Sequence, residues 1–238
     1  MMTGKTRKRL VLWDIDRTLI ESRGVGRMVY ERVFPEVVGK PLREMPLVHG
    51  RTELDIMYEA LRSHDVEPTE HLFRRLSAAL AEGFRAVADE LAERGRVLPG
   101  VRNALAGLAA EPTMHQGVLT GNTAEVARIK LEAFGLDRHL DLSTSAFGDD
   151  HRERPELVTI ARERAARRFR TPIPVEHVVL IGDTPADVHA ALSTGARVIA
   201  VATGVYSVDE LLAAGASSVL ETLTPSRFRR ALESVFSE

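Results

Sequence analysis

The chain has 238 residues, of which 28% are charged and 44% hydrophobic, and its formal net charge at pH 7 is −2. This composition is ordinary for a globular protein of one or two domains, and a nearly neutral chain has no overall electrostatic attraction to nucleic acid. The absence of cysteine excludes disulfides and thiolate chemistry. No run approaches the roughly 18 apolar residues that a membrane span needs, so we expect a cytoplasmic protein without nucleic-acid or membrane partners.

The first predicted element is a strand over residues 10–15, at whose end two carboxylates stand close together. Asp14 and Asp16 are two residues apart, so on a strand they point the same way. In open α/β sheets this edge is where ligands bind. Two close carboxylates repel each other unless a cation or a shared proton neutralises them. The alternative is a structural pair that caps the next helix or lies in a turn.

The segment 21–95 is predicted to be entirely helical. A short helix is expected over 28–34, another over 53–63, and a long amphipathic helix over about 70–94, where Leu and Phe residues recur at three- and four-residue steps. Thr69 or Pro68 begins the long helix and Gly95 ends it. No strand is predicted in this segment.

Beyond Val97 the pattern becomes an alternation of strands and helices. Strands are predicted at 116–120, 178–182, 197–202 and near 218–220, with a weaker one at 141–146. Helices are predicted at 100–111, 123–134, 155–169, 185–194, 207–214 and about 226–236. Such alternation indicates an α/β fold with a parallel sheet covered by helices on both faces. We therefore predict a core of residues 1–20 plus 96–238 and an inserted helical cap of residues 21–95.

Pairing the first strand with this core brings polar residues to one edge of the sheet. Asp14, Asp16, Thr120 and Asp183 each follow or end a predicted strand. Three carboxylates and a hydroxyl suit a hard cation such as Mg²⁺, whereas zinc would need His or Cys ligands. Asp183 could instead only cap the helix that starts near Pro185.

Four elements in this order resemble the motifs of the haloacid dehalogenase-like hydrolase superfamily, and the resemblance covers almost the whole chain. They are Asp14-x-Asp16-x-Thr18, Thr120 with Gly121 and Asn122, Arg154-Pro155, and Gly182-Asp183-Thr184-x-x-Asp187. The resemblance implies a Rossmann-like core with a helical cap inserted after the first motif. It also implies a Mg²⁺-dependent phosphatase that acts on a small phosphorylated metabolite.

The resemblance assigns roles to the carboxylates. Asp14 would attack phosphorus and form an aspartyl-phosphate, and Asp16 would protonate the leaving oxygen and then deprotonate the attacking water. Asp14 and Asp183 would bind Mg²⁺ together with the backbone carbonyl of Asp16. Asp187 would lie behind these ligands and orient them.

The phosphate-binding residues are assigned in the same way. Thr120 and the neighbouring N–H groups of Gly121 and Asn122 would bind phosphoryl oxygens, and Arg154 would neutralise the phosphate. Relatives usually have Lys-Pro where this chain has Arg154-Pro155, and Arg152 is an alternative for the cationic role.

Two further positions bear on the substrate. Relatives usually carry Gly where this chain has Arg17, whose side chain could contact substrate or point to solvent. The cap loop His49-Gly50-Arg51-Thr52 is similar to loops of phosphoglycolate phosphatase-like members, so Arg51 is expected to reach substrate when the cap closes. The alternative is a loop in which Thr52 simply caps the following helix.

The predicted site leaves other functions open. A phosphoglucomutase-like phosphoryl transferase keeps both Asp14 and Asp16 and would require a bisphosphate activator. A third possible function is that of a non-catalytic phosphate-binding protein. Dehalogenases resemble the first motif but lack the second carboxylate. Neither the substrate nor the oligomeric state follows from the sequence.

Overall fold

A computed structural model describes residues 8–237 of the chain. The strands in this part of the chain are β1 (Arg9–Trp13), β2 (Ile20–Glu21), β3 (Arg96–Val97), β4 (Met114–Val118), β5 (Val178–Gly182), β6 (Arg197–Val201) and β7 (Val219–Leu220). Five of them form a parallel sheet in the order β4-β1-β5-β6-β7, and β2 and β3 pair antiparallel. This arrangement confirms the predicted α/β class.

Ten α-helices connect the strands in the described part of the chain. They are α1 (Val25–Val38), α2 (Glu53–Ser63), α3 (Glu70–Ala86), α4 (Ala88–Arg94), α5 (Val101–Ala109), α6 (Ala124–Ala133), α7 (Arg154–Phe169), α8 (Pro185–Thr194), α9 (Val208–Ala213) and α10 (Pro225–Val235). Short 3₁₀ turns lie at Asp137–His139, Leu142–Thr144 and Val175–His177.

The two faces of the sheet are buried in separate hydrophobic clusters. Leu10 and Leu12 belong to a cluster with α7, α8 and α9, whereas Val11 and Trp13 belong to a cluster with α5, α6, α10 and the helices of the inserted segment. Successive strand residues point to opposite faces, so a strand buried on both sides must be apolar throughout. This explains why β1 from Leu10 onward, and β5 throughout, are continuous apolar runs that end where the polar residues begin.

Helices α1 to α4 form the inserted segment. The chain leaves the sheet at β2 and returns at β3, and Ile20 and Glu21 pair antiparallel with Val97 and Arg96. Helices α3 and α4 pack against α6 of the sheet layer. The assignment of residues 21–95 as a separate cap domain, with 1–20 plus 96–238 as the core, stays a prediction, and residues 1–7 lie outside the described residues.

The structure differs from the predicted elements at four main places. Glu21, in the segment predicted to contain no strand, pairs with Arg96 as part of β2. The helix expected over 70–94 is two helices, because Val87 takes φ −115° and ψ 20° and interrupts the helical backbone. The helix expected over 28–34 extends over Val25–Val38 and passes through Pro35. No strand forms over 141–146: the Asp141 side chain accepts a hydrogen bond from Ser143 N and favours a 3₁₀ turn, which leaves one isolated bridge between Leu119 and Ala146.

Candidate active site

Three neighbouring strands bring the candidate catalytic residues together. Asp14 follows β1, Thr120 lies two residues beyond β4, and Asp183 follows β5. Strands β4, β1 and β5 are adjacent and parallel, so their carboxyl ends meet at one edge of the sheet. All three residues are buried.

Asp14, Asp183 and Asp187 form a cluster of carboxylates. Each offers one oxygen to a group of atoms that lie within 4.8 Å of one another. Burial raises the pKa of Asp14, and Asp187 and Asp16 add to this while Arg154 opposes it. Burial also raises the pKa of Asp183, together with repulsion from Asp14 and Asp187. Buried carboxylates that repel each other are the donor set of a hard divalent cation, so the residues fit Mg²⁺.

Arg154 lies inside this cluster. Its Nη2 lies 3.1 Å from Asp14 Oδ1 and 2.6 Å from Asp187 Oδ1, and its Nε donates to the same Asp187 oxygen at 3.0 Å. The other oxygen of Asp187 accepts from Thr184 N and Oγ1 as part of a helix capping box. Asp187 is therefore engaged at both oxygens and orients Arg154 toward Asp14.

Arg152 lies outside the site. It donates to Asp55 at 2.8 Å, and its guanidinium stacks at 3.9 Å on the ring of Tyr58. Its side chain is 42% exposed, against 6% for that of Arg154. Of the two arginines, Arg154 therefore lies with Asp14 at the edge of the sheet, and Arg152 does not.

The Asp16 side chain is hydrogen-bonded by residues outside the carboxylate cluster. Its Oδ2 accepts from Lys130 Nζ at 2.6 Å and from Asn122 Nδ2 at 2.7 Å. Burial acts to raise the pKa of Asp16, but Lys130 and the hydrogen bonds from Lys130 and Asn122 outweigh it and hold the pKa below its ordinary value. Its side chain is therefore separate from the atoms that could share a cation.

Lys130 is the site residue that the sequence analysis missed. It is 4% exposed, its Nζ also donates to Asn122 Oδ1 at 2.7 Å, and it lies over the ring of Phe84. The sequence does contain a feature that could have identified Lys130, namely its position on α6. It follows the buried Val126 by four residues and Ala127 by three, so it lies on the apolar face of that helix. A lysine is almost never fully buried unless paired.

The loop after β4 joins the site to the inserted segment. Thr120 Oγ1 accepts from Asn122 N at 3.3 Å and from Asn122 Nδ2 at 2.9 Å, and the Gly121 carbonyl accepts from Glu53 N at 2.8 Å. A Cβ on Gly121 would lie 2.0 Å from the Arg51 carbonyl oxygen, so only glycine fits there. The side chain of Asn122 is directed to Asp16, Lys130 and Thr120.

Arg51 lines the cavity but its guanidinium is already neutralised. Its Nε donates to Asp55 at 2.7 Å and its Nη1 donates to Glu59. Thr52 meanwhile caps α2 through its hydroxyl, which accepts from Asp55 N. The helix cap by Thr52, which was the alternative interpretation of this loop, is therefore formed. Contact of Arg51 with substrate stays a prediction.

Arg17 occupies a turn that suits glycine. Its φ is 60°, in the left-handed region that side chains with a Cβ adopt at a cost. The turn is closed by Arg17 N donating to Ile20 O at 2.6 Å. The chain therefore keeps the backbone shape expected for glycine, and the Arg17 side chain is added to the wall of the cavity.

A cavity of about 550 Å³ lies over these residues and separates the sheet edge from the inserted helices. Its floor contains Asp14, Asp16, Thr120 and Asp183, and its walls include residues of α1, α2, α3 and the segment 45–51. This volume is within the range of small-molecule sites. Within residues 8–237, no helix is both long enough and apolar enough to cross a bilayer.

Two comparisons with known proteins match most of this chain. The family model described as haloacid dehalogenase-like hydrolase matches residues 11–192. A protein of Dickeya dadantii (strain 3937) named "Probable phosphatase IndB" is 30% identical over 220 residues, which cover 91% of each chain.

Solved structures share the fold at low identity. A HAD hydrolase of family IA, variant 3, from Entamoeba histolytica has a TM-score of 0.71 at 19% identity and covers 97% of this chain and 100% of its own. A hydrolase from Pseudomonas syringae has a TM-score of 0.67 at 22% identity, with 95% and 99% coverage. A Bacteroides vulgatus chain whose name assigns it a β-phosphoglucomutase activity has a TM-score of 0.68 at 19% identity, with 99% and 93% coverage.

Proposed function

Because this chain belongs to the haloacid dehalogenase-like hydrolases, we propose that it is a Mg²⁺-dependent phosphatase that hydrolyses a small phosphomonoester through an aspartyl-phosphate on Asp14. One observation carries the proposal. Asp14 lies at the end of β1 with Arg154 at 3.1 Å on one side and Asp183 in the same carboxylate cluster. Asp14, Arg154 and Asp183 line one cavity, which supports the proposal that they act there as nucleophile, phosphate-binding cation and metal ligand.

Asp14 and Asp183 are the residues that would hold Mg²⁺, with the backbone carbonyl of Asp16 as the third protein ligand. The oxygen-only donor set supports this choice. The bound ion supplies positive charge that offsets the phosphate dianion and the carboxylates.

In the first step a carboxylate oxygen of Asp14 attacks phosphorus while the bond from phosphorus to the ester oxygen breaks. Asp16 gives its proton to the departing oxygen, which leaves as an alcohol. In the second step Asp16 takes a proton from water, the water oxygen attacks phosphorus, and the bond to Asp14 breaks. Arg154 and Thr120 bind the non-bridging oxygens in both steps.

The position of Asp16 is compatible with this exchange of protons. Because its pKa is held low in the free protein, Asp16 takes up the proton that it donates when the phosphate dianion is bound beside it. Both of its hydrogen bonds among the described residues go to Oδ2, so Oδ1 is left to face the leaving group. Lys130 and Asn122 fix the carboxyl group in one orientation, which is what a general acid and base requires.

A screen of phosphorylated metabolites with Mg²⁺, in which released phosphate is measured, tests the proposal. The wild-type protein is expected to release phosphate, and Asp14→Asn is expected to lose at least about 10³-fold in kcat because an amide cannot attack phosphorus. Asp209→Asn is a matched control, since Asp209 is an exposed carboxylate on α9. Activity of Asp14→Asn close to that of wild type would contradict the nucleophile assignment.

The same screen separates the competing functions. A phosphoglucomutase-like transferase would depend on an added sugar bisphosphate and would return phosphate to a sugar instead of releasing it. A phosphate-binding protein would bind the esters without releasing phosphate.

A further inference from the structure

Two arginines on the wall of the cavity hold their guanidinium groups out of hydrogen-bond contact with any carboxylate of the described chain. Arg17 and Arg23 both line the cavity, and their side chains are 39% and 51% exposed. Each lies near the carboxylate of Glu21, at 4.0 Å from Arg17 Nη1 and 3.8 Å from Arg23 Nε. Both distances exceed the length of an N–H···O hydrogen bond.

Glu21 does not engage these two arginines because its carboxylate already has a closer partner. Arg96 Nε donates to Glu21 Oε2 at 2.8 Å, so three guanidinium groups surround one carboxylate and positive charge is in excess there. The other arginines and the lysine that line the cavity each donate to a carboxylate oxygen: Arg27 (Glu31), Arg51 (Asp55), Lys130 (Asp16) and Arg154 (Asp187). Arg17 and Arg23 are therefore the cavity cations whose donors are left for a ligand.

The same two arginines have a costly backbone conformation. Their φ angles are 60° and 47°, in the left-handed region that residues with a Cβ adopt only at a cost. Among residues 8–237, four non-glycine residues have a positive φ, and two of them are these arginines. Such strain is found preferentially at active sites and ligand clamps. A glycine would remove it, so the side chains at these positions point to a function.

Arg17 lies on the side of the site where the leaving group is expected. It directly follows Asp16, whose pKa burial acts to raise and the charges of Lys130 and Arg17 act to lower. Its turn is fixed at both ends, because Arg17 N donates to Ile20 O at 2.6 Å and Thr203 Oγ1 donates to Arg17 O. Arg17 is thus held beside the residue that is proposed to protonate the departing oxygen.

We propose that Arg17 and Arg23 form an anion subsite, which binds a carboxylate or a second phosphate on the alcohol part of the substrate. This inference rests on the proposed phosphatase function. Guanidinium groups bind both kinds of anion through paired N–H donors. The subsite is particular to this chain, because relatives usually carry glycine where it has Arg17. Arg17 and Arg23 thereby determine which phosphate esters are selected.

Matched esters test the subsite. Phosphooxyalkanoates and alkanediol bisphosphates with two to five carbons are compared with ω-hydroxyalkyl phosphates of equal length, which carry no second charge. At least one doubly anionic ester is expected to exceed its neutral counterpart by about tenfold or more in kcat/KM, mainly through KM, since a hydrogen bond between charged groups is worth at least that factor. The two doubly anionic series distinguish a carboxylate from a phosphate as the preferred anion.

Single variants identify the residues responsible. Arg17→Gln and Arg23→Gln are each expected to lower the ratio of kcat/KM for the preferred doubly anionic ester to that for its neutral counterpart, by about tenfold and about threefold. An indirect effect of Arg17 through Asp16 changes both esters and cancels in this ratio. Arg27→Gln is the matched control, because Arg27 also lines the cavity but donates to Glu31 at 2.7 Å, and its ratio should change less than about twofold.

Arg17→Gly separates binding from folding. Glycine adopts a φ of 60° without steric cost, so the unfolding temperature is expected not to fall while the preference for the doubly anionic ester is lost as in Arg17→Gln. Either of two results overturns the inference: neutral esters turned over as well as both anionic series at every length, or an unchanged ratio in either glutamine variant.

Failure of the phosphatase proposal is recognised separately. In that case the folded wild-type protein with Mg²⁺ releases no phosphate from any ester, p-nitrophenyl phosphate included. Calorimetric binding of the same esters then tests the subsite. Tighter binding of a doubly anionic ester that Arg17→Gln removes supports it, and equal binding of charged and neutral esters overturns it.

Discussion

Lys130 Nζ lies 2.6 Å from Asp16 Oδ2, although 114 residues separate the two in the chain. The pair connects the first loop of the sheet to α6, and Asn122 contacts both partners. Phe84 of α3 covers the ammonium group at 5.1 Å. The orientation of the proposed acid and base therefore depends on a helix that carries none of the recognised motifs.

Lys130→Met is expected to lower kcat for alkyl phosphates by about 10²-fold, because Asp16 loses the cation that holds its carboxyl group in place. The loss should be smaller with p-nitrophenyl phosphate, whose phenolate leaves without a proton. Arg128→Met is a matched control on the same helix, since Arg128 pairs on the surface with Glu125 and Glu132. Steady-state kinetics with both esters decide the matter: equal losses would show that Lys130 acts on the fold instead of on proton transfer.

Arg154→Gln and Arg152→Gln are expected to differ sharply. Arg154 lies between Asp14 and Asp187, so its loss removes the cation that we propose binds the phosphate and should cost about 10²-fold or more in kcat. Arg152 is a partly exposed residue paired with Asp55, and its loss should change kcat less than about threefold. A larger loss in Arg152→Gln would transfer the role to that residue.

Gly148→Ala is expected to destabilise the protein by about 1–3 kcal/mol and to raise KM. A Cβ at this position would lie 1.7 Å from the Gly121 carbonyl oxygen and 2.7 Å from Glu53 N, so the loop that receives α2 must move. Gly107→Ala is the control, because nothing lies within 4 Å of a Cβ there and the position is inside α5. That change should stabilise the protein by roughly 0.5–1 kcal/mol. Urea unfolding measures both, and equal effects would refute the steric argument.

Removal of metal with EDTA is expected to stop turnover, and Mg²⁺ should restore it better than Ca²⁺, whose looser geometry misplaces the attacking and leaving groups. Mg²⁺ should also raise the unfolding temperature of the wild-type protein, since a ligand that binds only the folded state stabilises it. Asp183→Asn should lose this response and Asp209→Asn should keep it. Full activity in EDTA would contradict the proposed metal site.

The local sequence determined most of the sheet and the positions of the motifs. Val178–Gly182 and Pro185–Thr194 coincide with their predicted bounds, because an uninterrupted apolar run and a helix capped by threonine and glycine are specified by neighbouring residues alone. Asp14, Thr120 and Asp183 converge as expected, because parallel strands end at one edge. The failures are also local in origin: Val87 and Asp141 adopt backbone conformations that hydrophobic periodicity does not encode.

Only the tertiary structure decided which partners the polar residues have. Arg152 and Arg154 are both arginines near the start of α7, yet burial beside Asp14 selects Arg154. The sequence places Lys130 on the apolar face of α6, but only the fold shows that this face brings it to Asp16. The pairs Lys130–Asp16 and Arg154–Asp14 both join elements that are distant in the chain. Electrostatic partners are set by distance in space, which the order of residues does not specify.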